Sequence, residues 1–278
     1  MKIAVLSGKG GAGKTFVAVN LACSAGKAVY VDCDVEEPNG RLFLKPQDIT
    51  ESPVFASLPE FDAEKCSGCR KCVDFCRFGA LIYVKNRPML FSELCHACGG
   101  CALVCPEAAV SEGRRQIGHV EKGRHGALDV VTGVLNPGEA SGVPVIKAAL
   151  SLGEAAGGTQ ILDCPPGSAC SVMESISGAD FCLLVAEPTA FGFHNFKMVH
   201  ELASLLGKPC GVVINKQEVS YPPLERFCRE AGLPVLLRIP YIPALARLCG
   251  DGEPACEKSG EYAAMFRALL EKIGGRGE

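Results

Sequence analysis

The stretch Ile3-Ala4-Val5-Leu6-Ser7-Gly8-Lys9-Gly10-Gly11-Ala12-Gly13-Lys14-Thr15 decides the fold. It opens on a short aliphatic run, passes through glycines, and continues into residues 14–25 with apolar side chains at helical spacing. That order reads as strand, loop, helix. Gly8 to Thr15 matches GxxxxGK[ST] at the strand–helix junction. Glycines let a backbone wrap phosphates with its N–H groups, and the helix that follows points its positive end at the same anion. In such a loop Lys14 reaches the β- and γ-phosphates of a nucleotide and Thr15 ligates Mg²⁺.

Working outward, residues 28–31 form a second apolar run that ends at Asp32, with Asp34 just beyond. Residues 33–59 are rich in Pro, Asp and Glu and read as a loop with short pieces. From residue 60 to 112 cysteines crowd the chain and the αβ rhythm stops. The rhythm resumes with apolar β-type runs at 160–162, 181–186 and 210–214, and with helical stretches at 193–206, 223–230 and 261–273. Alternation of this kind predicts an α/β fold with a mostly parallel sheet covered on both faces. The glycine-rich stretch 113–158 reads as part strand, part switch-like loop. The expected organisation is a nucleotide-binding domain in two parts, 1–59 and 113–278, with a small α+β domain inserted at 60–112. Ligands of open α/β sheets sit at the carboxyl ends of the strands. Asp163, which closes the run Gln160-Ile161-Leu162-Asp163, is therefore the candidate acid for the Mg²⁺ shell, and Asp34 for orienting the attacking water. Strand-end turn formation and helix capping are the structural alternatives for these two.

The chain has 278 residues, a net charge of −3 and seventeen cysteines. The charge argues against a general affinity for nucleic-acid backbones. The N-terminus is too short and too polar for a signal-peptide core, and no apolar run is long enough for a transmembrane helix, so reduced thiols in the cytoplasm are expected. Eight cysteines form a regular array, Cys66-x2-Cys69-x2-Cys72-x3-Cys76 followed by Cys95-x2-Cys98-x2-Cys101-x3-Cys105-Pro106. Such a run supplies three thiolates to one [4Fe-4S] cluster and the fourth to its neighbour. The expected sets are Cys66, Cys69 and Cys72 with Cys105, and Cys95, Cys98 and Cys101 with Cys76. Zinc sites use pairs separated by a longer loop and fit this crowding poorly. Arg77 stands after Cys76 where the pattern has proline, so altered local geometry is expected there. Most of the nine scattered cysteines read as small apolar core fillers.

Lys9 is not required by the general phosphate-loop motif. With it, Lys9 to Thr15 matches KGGxGKT in full, and the sequence resembles the deviant Walker A family of MinD, ParA, Mrp-type cluster carriers and nitrogenase iron protein. The resemblance covers most of residues 1–44 and 160–243. It implies an ATP-sandwiched dimer in which Lys9 reaches the partner's nucleotide, a water-orienting Asp34, a second switch at Asp163 with Pro166-Gly167, and an adenine-reading Asn215 followed by Lys216. Residues 239–241 resemble the late nucleotide-flanking strand, with Ile242 where an aspartate is common. The cysteine segment looks like a bacterial two-cluster ferredoxin, and an Mrp/MinD-like ATPase with such an insert is itself a recognisable family. Its implied cofactors are ATP, Mg²⁺ and two [4Fe-4S] clusters.

The leading expectation is an ATPase whose nucleotide state gates electron transfer to a client protein or metallocluster. It would act as a homodimer or as a heterodimer with a related ATPase. The alternatives are cluster assembly or delivery of the Mrp type, weakened because no CxxC follows Cys105, and a MinD-like positioning ATPase. For the last, Tyr262, Met265, Phe266, Leu269, Leu270 and Ile273 form an apolar stripe, but its polar face mixes Glu with Arg and reads as an ordinary packed helix, without stable membrane insertion.

Overall fold

The computed structural model describes residues 1–275. Strand β1 (Lys2–Leu6) passes through the glycine loop into helix α1 (Lys14–Ser24), followed by β2 (Ala28–Asp32), the short α2 (Gly40–Leu44) and the long β3 (Gln47–Phe61). Next come α3 (Lys71–Phe75), a hairpin of β4 (Leu81–Val84) and β5 (Arg87–Leu90), and α4 (Gly100–Leu103). The chain returns along β6 (Val110–His125) and β7 (Leu128–Leu135) to α5 (Val143–Ala156), β8 (Thr159–Asp163), α6 (Cys170–Ser177), β9 (Phe181–Ala186) and α7 (Ala190–Leu205). It ends with β10 (Cys210–Gln217), α8 (Pro222–Glu230), β11 (Val235–Pro240), α9 (Pro243–Gly250), α10 (Ala255–Lys258) and α11 (Gly260–Gly274).

Nine strands form one sheet in the order β11-β10-β9-β1-β8-β2-β7-β6-β3. The first seven in that order run parallel, and β6 and β3 are antiparallel additions at one edge. Every residue of β2 and β9 is buried, the signature of strands covered on both faces. One face carries Ile146, Val172, Ile176, Phe196 and Leu224 from α5 to α8. The other carries α1 with Leu245, Phe266, Leu269 and Ile273. Phe266 meets Phe16 edge to face, with ring centroids 6.1 Å apart. The apolar stripe of α11 is thus part of the core, and no described helix is long and apolar enough to cross a membrane.

The strands and helices expected from periodicity are present, with ends displaced by up to three residues. Residues 47–59 are a correction: they belong to β3, not to a loop. Pro53 and Pro59 and the run of exposed positions 47–53 hide this strand from a periodicity reading. Proline is tolerated because β3 is the sheet edge, with only β6 beside it. The stretch 113–158 likewise resolves into β6, β7 and α5. The β3–β6 ladder shifts register between Val54 and Phe55 and then continues to the terminal pair Phe61 and Val110, so residues 62–109 form the tip of a long hairpin. Of the scattered cysteines, Cys33, Cys164, Cys182 and Cys228 are buried, but Cys170 and Cys249 are exposed and do not fill the core.

Candidate functional site

Register brings the acids together. Val5 pairs with Asp163, and Asp32 pairs with Asp163, so two carboxylates end adjacent parallel strands at one level. Both are fully buried. The glycine loop lies over this edge. Gly11 and Gly13 have φ of 79° and 90°, left-handed conformations that L side chains resist. A Cβ on Gly8 would fall 2.2 Å from the Asn195 carbonyl oxygen, so α7 packs where only glycine fits. Lys14, 6% exposed, opens α1 and sends its ammonium back over the strand ends. Its Nζ donates to Asp163 Oδ1 at 2.5 Å and lies 3.7 Å from Asp34 Oδ2. Burial disfavours the Lys14 charge, yet Asp163 and Asp34 outweigh it and hold the ammonium above its ordinary range.

Of two further neighbours of this cluster, one was not singled out from the sequence and the other was named without a role. Tyr30 is wholly buried and donates its hydroxyl to Asp163 Oδ2 at 2.8 Å. Asp32, placed at the strand end but given no role, accepts from the Gly40 and Asp34 amides at 2.9 and 3.2 Å and so anchors the turn that carries Asp34. Burial, and then the charge of Asp163, push the Asp32 carboxyl up to about 8. Asp34 is pushed up to about 6 by burial, against the opposing pull of Lys14. The second switch is tied to the loop by Gly167 N–H donating to the Ser7 carbonyl at 3.0 Å.

Lys9 does not join this cluster. Its Nζ pairs with Glu187 Oε2 at 2.8 Å and stands 5.3 Å from the centroid of the Phe191 ring, against the segment that follows β9. Asn215 and Lys216 end β10 beside the loop. Asn215 Nδ2 donates to the Ala12 carbonyl at 2.9 Å, and Lys216 Nζ to the Gly11 carbonyl at 2.7 Å. Gly13, Phe16, Asn215, Tyr241, Ile242 and Leu245 line a small apolar slot there. Ile242 contributes a hydrophobic wall. Thr15 is half-buried at the start of α1, one residue from the ammonium that touches Asp163.

The eight arrayed cysteines lie in the hairpin tip, apart from the phosphate loop, and line two separate cavities. Cys95, Cys98 and Cys101 surround one of about 250 Å³ together with Cys76. Cys66, Cys69 and Cys72 surround a tighter one together with Cys105. Each cavity thus takes three thiols from one run and the fourth from the other. Cys76 keeps an extended backbone, φ −69° and ψ 102°, although Arg77 follows it instead of proline. The Ala109 amide donates to Cys105 Sγ at 3.3 Å, a bond of the kind that tunes sulfur ligands. All eight are free thiols, and this donor set suits soft metal centres.

The module projects from the same sheet edge as the phosphate loop. Asp32 pairs with Thr132, and Thr132 with Glu121, so Glu121 marks the level of the nucleotide acids on β6. From there β6 runs back to Val110, about 35 Å at strand rise.

Comparison with known proteins bears on the fold and the family. The uncharacterised protein MJ0578 of Methanocaldococcus jannaschii is 27% identical over 289 aligned residues, covering 98% of this chain and 96% of that protein. An uncharacterised ferredoxin of the same organism, MJ0722, is 42% identical over 53 residues, 18% of this chain and 69% of its own length. The septum site-determining protein MinD of Pyrococcus horikoshii, solved with Mg-ADP, superposes with a TM-score of 0.59 at 19% identity, covering 100% of this chain and 98% of the other. The model of the CobQ/CobB/MinD/ParA nucleotide-binding domain matches residues 3–255, and the chain belongs to that family.

Proposed function

We propose that this chain is an ATPase that couples its nucleotide state to electron transfer through two [4Fe-4S] clusters. The observation that carries the proposal is the pair of four-thiol cavities built on the strands that leave the edge of the nucleotide site. In this reading the loop from Gly8 to Thr15 wraps the phosphates, the slot at Asn215 and Tyr241 takes the base, and Thr15 and Asp163 hold Mg²⁺. Lys14 turns from Asp163 to the β- and γ-phosphates, leaving Asp163 to the metal shell, and Asp34 orients the attacking water. Lys9 leaves Glu187 to reach the nucleotide of a second subunit, either a copy of this chain or a related ATPase.

The clusters supply reversible one-electron chemistry when bound. The sets are Cys66, Cys69, Cys72 and Cys105, and Cys95, Cys98, Cys101 and Cys76. Leu94 and Leu103, 50% and 87% exposed on the same module, offer an apolar contact for a client protein. No nucleic-acid partner is part of this reading. Anaerobically prepared chain should carry about eight irons per chain. Stopped-flow oxidation of the reduced protein by a redox client should be faster with MgATP than with MgADP. Equal rates in both nucleotide states, with the client present, would sink the coupling. Loss of iron to the client would support cluster delivery in its place.

A further inference from the structure

A second group of metal-ligating side chains converges on the opposite side of the sheet level from the phosphate loop. Cys23 lies in the last turn of α1, His125 ends β6, and Cys256 and Glu257 are consecutive in α10. The Cys23 thiol, a ring nitrogen of His125 and a carboxylate oxygen of Glu257 all lie within 4.8 Å of one another. His125 Nε2 is 2.7 Å from Glu257 Oε1. Cys256 precedes Glu257 in α10 and supplies a second thiol beside this group, outside the 4.8 Å set. His125 pairs with Leu128 at the amino end of β7, four residues beyond Glu121 and so about 13 Å from the level of the nucleotide acids.

The scaffold under these donors is fixed by a buried polar tie. The Cys256 amide donates to Asn20 Oδ1 at 2.8 Å, and Asn20 Nδ2 donates to the Phe16 carbonyl at 2.8 Å. Asn20 is fully buried and lies one turn before Cys23 on α1, so it sets α10 against the face from which Cys23 projects. Access from solvent remains, because the His125 and Glu257 side chains are 26% and 42% exposed. Thiols that only fill space sit among apolar neighbours. Cys23 flanks the apolar core but is also met by an imidazole and a carboxylate.

We propose that Cys23, His125, Cys256 and Glu257 form a tetrahedral site for one zinc ion, separate from the nucleotide and cluster sites. Zinc takes thiolate at about 2.3 Å and imidazole or carboxylate at about 2.0–2.2 Å, which needs donors roughly 3.2–3.8 Å apart. Cys23, His125 and Glu257 already lie within 4.8 Å of one another, and Cys256 turns its side chain to complete the set. Two thiolates exclude the hard cations Mg²⁺ and Ca²⁺ as preferred occupants. Binding releases one proton from each thiol and replaces the His125–Glu257 contact with two bonds to the metal. The ion would clamp the end of α1 and α10 to the root of β6, the strand whose other end carries the cysteine module.

The test uses the full chain, prepared anaerobically with its eight module cysteines loaded with iron and sulfide. Zn²⁺ or Co²⁺ is then titrated in. One equivalent should bind, and Co²⁺ should give a tetrahedral spectrum with thiolate-to-cobalt charge transfer. Cys256→Ser should weaken Zn²⁺ binding at least about 100-fold and diminish that band while leaving iron and sulfide content unchanged. His125→Gln and Glu257→Gln change partly exposed side chains and keep the test decisive if the cysteine variant fails to fold. Each should weaken Zn²⁺ binding by about tenfold or more. Unchanged zinc stoichiometry and affinity in these variants overturns the proposal. So does zinc that binds only when the cluster cysteines are empty.

Discussion

Lys14 balances the charge of a buried acidic cluster as well as marking a phosphate site. Its ammonium lies between Asp163 and Asp34, with Asp32 close behind. Lys14→Ala should abolish ATP binding, measured by calorimetry, because charge and backbone N–H groups together position the phosphates. The same change removes the only cation in contact with these carboxylates among the described residues. In nucleotide-free buffer it should also cost on the order of 2–4 kcal/mol in denaturant unfolding. Unchanged ATP affinity would refute the assignment. Lys9 gives a second prediction at this scale. Glu187 and Phe191 hold it within its own subunit, so the proposed dimerisation on ATP would break that pair. Glu187→Gln should leave the fold intact and raise ATP-dependent dimerisation about two- to tenfold, since one partly exposed ion pair contributes about 1 kcal/mol or less. Lys9→Ala should cut hydrolysis instead. Analytical ultracentrifugation and a phosphate-release assay check the two; full activity of Lys9→Ala would remove the in-trans role.

At the scale of elements, legibility followed burial. The central strands read as apolar runs because both faces are covered, and α1, α7, α8 and α11 read from their apolar stripes. β3 did not, because an edge strand exposed at most positions needs neither alternation nor freedom from proline. The phosphate loop, Asp34 and Asp163 were picked out from loop chemistry and strand ends, Asn215 and Lys216 from the family resemblance, and the fold gathers all of them around the loop. Tyr30 and Glu187 were not. One looks like a core aromatic and the other like a surface acid until the register and the loop are placed. The Cys23, His125 and Glu257 group was equally hidden, since these residues are far apart in sequence and meet only in the fold. The hairpin gives its own prediction. Phe61 faces Val110 at the end of an antiparallel ladder, so residues 62–109 should be replaceable by a two-residue Asn-Gly turn. The shortened chain should fold, bind ATP and carry no cluster iron. Loss of soluble, ATP-binding protein would show that the module is needed for the core to fold.

For the whole molecule the question is whether a change at Asp34 reaches the thiols beyond the Val110 end of β6. The contacts offer a continuous route. Asp32 accepts from Gly40 at the start of α2, and the next residue, Arg41, pairs with Glu121 on β6 at 3.2 Å. The Val35 carbonyl accepts from Leu135 at the end of β7. Nearer the module, Arg115 on β6 makes a bidentate pair with Glu139, at 2.6 and 2.5 Å, and also donates to the Ser92 carbonyl, three residues before Cys95. A coupling free energy is reciprocal and can be measured from either end. If MgATP shifts the potential of a cluster, reduction of that cluster must change ATP affinity by the same free energy. Each tenfold difference in ATP affinity between oxidised and reduced protein should appear as about 59 mV in a one-electron potential. Redox titration with MgATP and with MgADP, beside calorimetry on both redox states, gives two independent values that must agree. Breaking the route with Arg115→Gln and Glu139→Gln together, so that neither charge is left unpaired, should reduce both values and leave iron content and basal hydrolysis unchanged. If the double variant keeps the full shift, the signal bypasses Arg115. If the wild type shows neither shift, ATP does not act on the potentials, and its influence must lie in how the module meets its client.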